Sequence, residues 1–79
     1  MIKTTDVKFL YHPKNDDLFA YFPNDIFDSF GNKSAYSHVG QHSACSTEYV
    51  TECRLANISE YKELLNELTN IGYNLNVLN

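Results

Sequence analysis

The 79-residue chain has no tryptophan, three glycines, two prolines, two cysteines and six lysines and arginines in total. Each shortage excludes something. The basic residues are scattered as Lys3, Lys8, Lys14, Lys33, Arg54 and Lys62 against ten Asp and Glu, giving a formal net charge of −4. Displacing counterions from a phosphate backbone needs clustered Lys and Arg, so neither a nucleic acid nor a membrane surface is expected as partner. No stretch approaches the ~20 apolar residues of a membrane span. The N-terminal MIKTTDVKFL lacks the apolar run of about 7–15 residues that a secretory signal carries. Two cysteines without such a signal fit a reduced thiol pair, with a Cys45–Cys53 bridge as the alternative, and a cytoplasmic location is the expectation. No glycine-rich loop could cradle a phosphate. Asp16, Asp17, Asp25 and Asp28 lack the spacing of a calcium loop and read as turn residues. No cofactor is implied.

What is present is apolar and aromatic: 43% hydrophobic residues, with six tyrosines and five phenylalanines. A chain this short has room for one domain, 1–79, whose buried area comes largely from rings. In DVKFLYH, Val7, Phe9 and Tyr11 alternate with Lys8, Leu10 and His12, the period of a strand. Pro13, Asn15, Asp16 and Asp17 supply a turn. Leu18 to Phe22 resumes as a second strand ended by Pro23, which lacks a ladder donor. In the connection PNDIFDSFGNK, residues 23–33, Ile26, Phe27 and Phe30 are expected to fold back on the domain edge. The alternative is an exposed patch that marks a partner surface.

Ser34 to Val39 reads as a third strand, residues 43–49 as a small polar loop with one helical turn capped by Ser43 or Ser46, and Val50 to Leu55 as a fourth strand. The strongest pattern is NISEYKELLNELTNIG. Ile58, Tyr61, Leu64, Leu65, Leu68 and Ile71 fall on one helical stripe. Asn57 and Glu60 resemble a capping box, and Gly72 suits a left-handed C-terminal cap. Glu60, Glu63 and Glu67 read as a solvated acidic face. Tyr73, Leu75 and Val77 then alternate with Asn74 and Asn76, as in an antiparallel or edge strand. The fold class is therefore α+β: a three- to five-stranded, mainly antiparallel sheet with an N-terminal hairpin, one amphipathic helix on one face, and a C-terminal strand.

The C-terminal half resembles a group of small proteins from bacterial and phage genomes. In these a Tyr-x-His-x-Gly-Gln-His stretch precedes a Glu-Tyr helix and an Ile-Gly-Tyr-x-Leu strand. The matching positions are Tyr36, His38, Gly40, Gln41 and His42, then Glu60, Tyr61, Ile71, Gly72, Tyr73 and Leu75. The resemblance brings no activity, substrate or cofactor. It implies an accessory protein of a phage or mobile element, one form of which would be an inhibitor of a host enzyme such as a defence nuclease.

The densest chemistry lies in YSHVGQHSAC, residues 36–45. His38, His42 and Cys45 have imidazole and thiolate donors that zinc accepts at about 2.0–2.3 Å. Four positions along a flat strand span about 13 Å at ~3.3 Å per residue, so only a bend at Gly40 would let His38 and His42 share an ion. The fourth ligand would be Cys53, His12 or a carboxylate. A nucleophilic reading gives Cys45 the attack, His42 the base and Gln41 the oxyanion donor, with amides of a helix start lowering the thiol pKa. Against an enzyme stands the difficulty of housing a pocket of ~300 Å³ in so small a domain. The favoured reading is a polar turn on a binding surface, with Gly40 permitting a bend and His38 and Gln41 bonding backbone. The expected function is accordingly binding of another protein. Its surface would comprise Phe27, Phe30, Tyr36, His38, Gln41 and His42, with an exposed strand edge allowing homodimerisation. The alternative is a small metal- or Cys/His-dependent hydrolase using the same segment.

Overall fold

Alternation makes the first strand, β1 (Thr5–His12), apolar on both sides. A computed structural model describes residues 4–27, 29–37 and 41–78, with Gln41 and His42 described for the backbone alone. In it Val7 and Phe9 are buried on one face of β1, Leu10 and His12 on the other. Residues 13–16 reverse the chain. Asp16 turns through a left-handed conformation (φ +48°), which Asp tolerates better than most residues. Its Oδ1 accepts a 2.6 Å bond from the Tyr11 hydroxyl.

The second strand, β2 (Asp17–Ile26), pairs antiparallel with β1 from Lys8↔Tyr21 to His12↔Asp17. It does not stop at Pro23. The described pairing with β1 ends at Tyr21, and the register with β3 (Lys33–Ser37) shifts between Phe22 and Ile26. Pro23 thus sits where neither ladder asks for its missing N–H.

The next strand differs from expectation. Gln41–Cys45 is not a loop but β4, antiparallel to β3, with Tyr36 opposite His42 and Lys33 opposite Cys45. Small polar residues lack strand propensity of their own, and pairing with β3 supplies it. Ser46 then caps a short helix, α1 (Thr47–Thr51), its hydroxyl accepting from the Tyr49 N–H. The strand expected over Val50 to Leu55 shrinks to β5 (Arg54–Leu55).

The long helix, α2 (Ile58–Ile71), carries the expected capping box between Asn57 and Glu60, and Gly72 (φ +123°) closes it. Glu60 is not simply solvated. Arg54 grips it with two bonds of 2.9 and 2.8 Å. That contact, with the Asn57 backbone N–H second, holds its carboxyl down at about 2. Glu67 likewise accepts a hydrogen bond from the Tyr36 hydroxyl. Of the apolar stripe, Leu64 and Leu68 are buried, while Ile58 and Ile71 at the ends stay exposed.

The last strand, β6 (Leu75–Val77), is parallel to β1, not antiparallel. It shares one edge of β1 with β5. Thr5, Val7 and Phe9 bond Asn74, Leu78 and Ala56, and alternate residues of a strand direct their amide groups to the same side. The sheet order is β4-β3-β2-β1-β5, with β6 on β1 beside β5. The architecture is α+β with a mainly antiparallel, open sheet.

Two cores result. Over one face α2 packs on Val7, Phe9, Ala20, Phe22 and Tyr36. Over the other, where no cover was expected, α1 brings Tyr49 and Val50 onto Leu10, Phe19, Tyr21, Ala35 and Cys45. Five helical residues cannot roof a whole sheet face, and this shortfall positions the site below.

Candidate functional site

Tyr36 is only 1% exposed and belongs to the core under α2, so it is withdrawn from the binding surface. Its ring fills the sheet face that Leu64 and Leu68 cover. His38 lies outside the described residues, as do Val39 and Gly40. Gln41 and His42 occupy β4 opposite Ser37 and Tyr36. His42 and Cys45 are three positions apart in that extended strand, about 10 Å at ~3.3 Å per residue. Among the described residues no three His, Cys, Asp or Glu side chains gather closely enough to hold a metal.

Ile26, Phe27 and Phe30 do not fold back. They are 65%, 48% and 89% exposed, because β2 overshoots Pro23 and carries them past the rim of both cores. A 2.7 Å bond from the Phe27 N–H to the Asn32 carbonyl closes this β2–β3 loop.

The uncovered part of the second sheet face is a groove of about 380 Å³ beside α1. Such a pocket was not expected in a chain this small. It exists because α1 is short. Its floor is apolar, from Phe19, Ala35 and Cys45, and hydroxyls of Ser37, Ser43 and Ser46 line the β3–β4 side. Asp17 and Tyr49 line it as well. The Tyr49 hydroxyl donates to Asp17 at 2.8 Å and accepts from the Asn15 amide at 3.3 Å. Burial raises the pKa of that phenol, and the bond to Asp17 adds to the rise while the one from Asn15 opposes it.

Behind Tyr49 lies a buried histidine. His12 stacks on the Tyr49 ring with centroids 4.4 Å apart. Its Nδ1 accepts from the Asn15 backbone N–H at 3.3 Å, and its Nε2 lies 3.0 Å from Glu52 Oε2. An accepting Nδ1 places the proton on Nε2, which therefore donates to Glu52. That bond comes first among the causes that lower the Glu52 pKa. The sequence offered His12 only as a fourth metal ligand and Asp17 as a turn residue, because His12, Asp17, Tyr49 and Glu52 meet only through the fold. The one local signal was an imidazole two positions beyond Leu10, on the same strand face.

The Cys45 thiol is buried and donates to the Ser46 carbonyl at 3.7 Å. The alternative, nucleophilic reading called for a lowered pKa beside a helix start. Instead burial, then the neighbouring Cys53 and Asp17, push it up from an ordinary 9.0 to about 11. The Ser46 hydroxyl already takes the α1 amide of Tyr49, and desolvation of the thiolate prevails. This cuts the thiolate fraction at neutral pH roughly 100-fold. In the native protein at pH 8, Ellman's reagent should therefore react with Cys45 at least about tenfold more slowly than in denaturant, faster as pH rises toward 11. Equal native and denatured rates would contradict the placement of this thiol. Cys53 is also a free thiol, half-buried, its Sγ 3.4 Å from the Tyr49 carbonyl.

Compared with protein-family models, curated proteins and solved structures, the chain matches none, so the reading of its function rests on this groove and the exposed loop.

Proposed function

We propose that this protein works by binding another protein through the loop between β2 and β3. What carries the reading is the exposure of Ile26, Phe27 and Phe30, three large apolar side chains within five positions. Exposed apolar groups of this size, held on one closed loop, mark interaction surfaces when they cluster. Aromatic rings anchor such interfaces at little entropic cost. The loop is closed by the Phe27–Asn32 backbone bond, so its rings are presented on a shaped turn. The acidic balance of −4 favours a partner with a basic rim, since complementary charge speeds encounter.

The strand at the sheet edge offers a second contact. Gln41–Cys45 carries no charged residue and no proline, the features that usually protect an edge from pairing.

The experiment is affinity capture from cells that naturally make the protein, with Phe27→Ser/Phe30→Ser as comparison. The wild type should retain a partner that the double variant loses by at least about tenfold, roughly 1.4 kcal/mol or more. Stability should shift by no more than about 0.5 kcal/mol per site, as exposed positions do. A wild type that retains nothing and stays monomeric at high concentration would sink the proposal.

A further inference from the structure

The groove beside α1 has a chemistry of its own, independent of the exposed loop. Its volume of about 380 Å³ falls within the range of small-ligand sites, about 300–1,000 Å³. Such sites combine an apolar bed with a few convergent polar groups. Phe19, Ala35 and Cys45 form the bed, and the polar groups are serine hydroxyls, the Asn32 amide, and Asp17 with Tyr49.

Charge decides the kind of ligand. Among the described residues that line the groove, Asp17 is the only charged one, and none is Lys, Arg or His. A phosphate or carboxylate placed there would meet repulsion from Asp17 and, among the described lining residues, no counter-charge. Glu60 is paired with Arg54 and Glu52 with His12, while Asp16 accepts from the Tyr11 hydroxyl. Among the described residues, Asp17 pairs with no Lys or Arg. Its carboxylate accepts from the Tyr49 hydroxyl at 2.8 Å, and a carboxylate has acceptor capacity for about four bonds. The hydroxyl is fixed in direction, because the Asn15 amide donates to it and His12 stacks beneath the ring. Asp17 is thus an oriented anion in the wall of a trough with an apolar bed.

We propose that this groove binds a small organic amine with an apolar body, its ammonium held at Asp17 and its body laid on Phe19, Ala35 and Cys45. The serine hydroxyls along β3 and β4 take the ligand's neutral polar groups. Tyramine is a fitting probe, and 3-(4-hydroxyphenyl)propionate is its counterpart of opposite charge.

Titration of the ¹⁵N-labelled full chain with tyramine should shift the amides of Asp17, Phe19, Ala35, Ser43 and Tyr49 saturably, leaving those of Ile26, Phe27 and Phe30 unmoved. Asp17→Asn should weaken binding at least about tenfold. Ser43→Leu, which fills the trough without touching the carboxylate, should abolish it. The propionate should give no saturable shift. The proposal is overturned if tyramine fails to saturate by about 10 mM, if the propionate binds as well, or if both folded variants bind like wild type. Because Phe27 and Phe30 play no part, failure here leaves the protein-binding proposal standing, and the reverse holds too.

Discussion

Phe9→Ala should cost about 3–5 kcal/mol of unfolding free energy, the range for deleting a buried phenyl ring. Phe9 is 1% exposed at the centre of β1, and its ring lies parallel to that of Tyr61 on α2, with centroids 4.3 Å apart. It is where the sheet meets its main helix. At about 0.05–0.15 kcal/mol per residue, a domain of 79 residues has roughly 4–12 kcal/mol in all. The variant would therefore lose a large share of that stability, and at the low end of the range it would be half unfolded without denaturant. Urea titration followed by circular dichroism measures the loss directly. Ile58→Ala is the matched control, a member of the same helical stripe that is 66% exposed, and it should change stability by less than about 0.5 kcal/mol. A loss under about 1 kcal/mol at Phe9 would mean that β1 and α2 do not share this core.

The elements legible in the sequence were those whose signal is local. Ile58 to Ile71 announced itself by spacing, and Asn57, Glu60 and Gly72 marked both ends. The β1–β2 hairpin followed from alternation around Pro13 to Asp17. What failed depended on partners far along the chain. Gln41–Cys45 looked like a loop because its residues are small and polar, yet β3 pairs with it residue for residue. Leu75–Val77 alternates as any half-buried strand does, and nothing in that alternation distinguishes a parallel from an antiparallel neighbour. Pro23 looked like a terminator because its missing donor is a local fact, whereas the ladder break that accommodates it is not.

The candidate site was legible in part, for the same reason. The exposure of Phe27 and Phe30 was foreseeable only as one of two outcomes, since their burial depends on how far β2 extends. Tyr36 shares its segment with two histidines but points its ring into a core assembled by α2, about thirty positions on, where its hydroxyl meets Glu67. The groove joins Asp17 and Tyr49, 32 positions apart, and behind Tyr49 the fold joins His12 and Glu52, 40 apart. No motif spans such separations. The lowered Cys45 pKa that the nucleophilic alternative needed is absent, because sequence shows the helix start that would lower it and hides the burial that raises it.

His12→Ala should lose about 2–4 kcal/mol, as large-to-small changes at a fully buried ring do. His12 is 2% exposed, and three kinds of contact hold it: the stack on Tyr49, the bond to Glu52 and the bond from Asn15. These can be told apart with His12→Phe, which keeps a flat ring and removes both polar contacts. Glu52 and Asn15 are exposed, so water can replace the imidazole for each of them, and a hydrogen bond exchanged for water has a small net effect. Packing is the contact that water cannot replace. The phenylalanine variant should therefore lose well under half of what the alanine variant loses, read from urea midpoints at unchanged slope. A local consequence follows as well. With the ring gone, Tyr49 keeps only Phe19 of its two ring neighbours and α1 loosens over the second core, so the native Cys45 thiol should react with Ellman's reagent faster in His12→Ala than in His12→Phe. Equal losses of stability in the two variants would show that the polar contacts, not the stacked ring, anchor α1 and shape the groove.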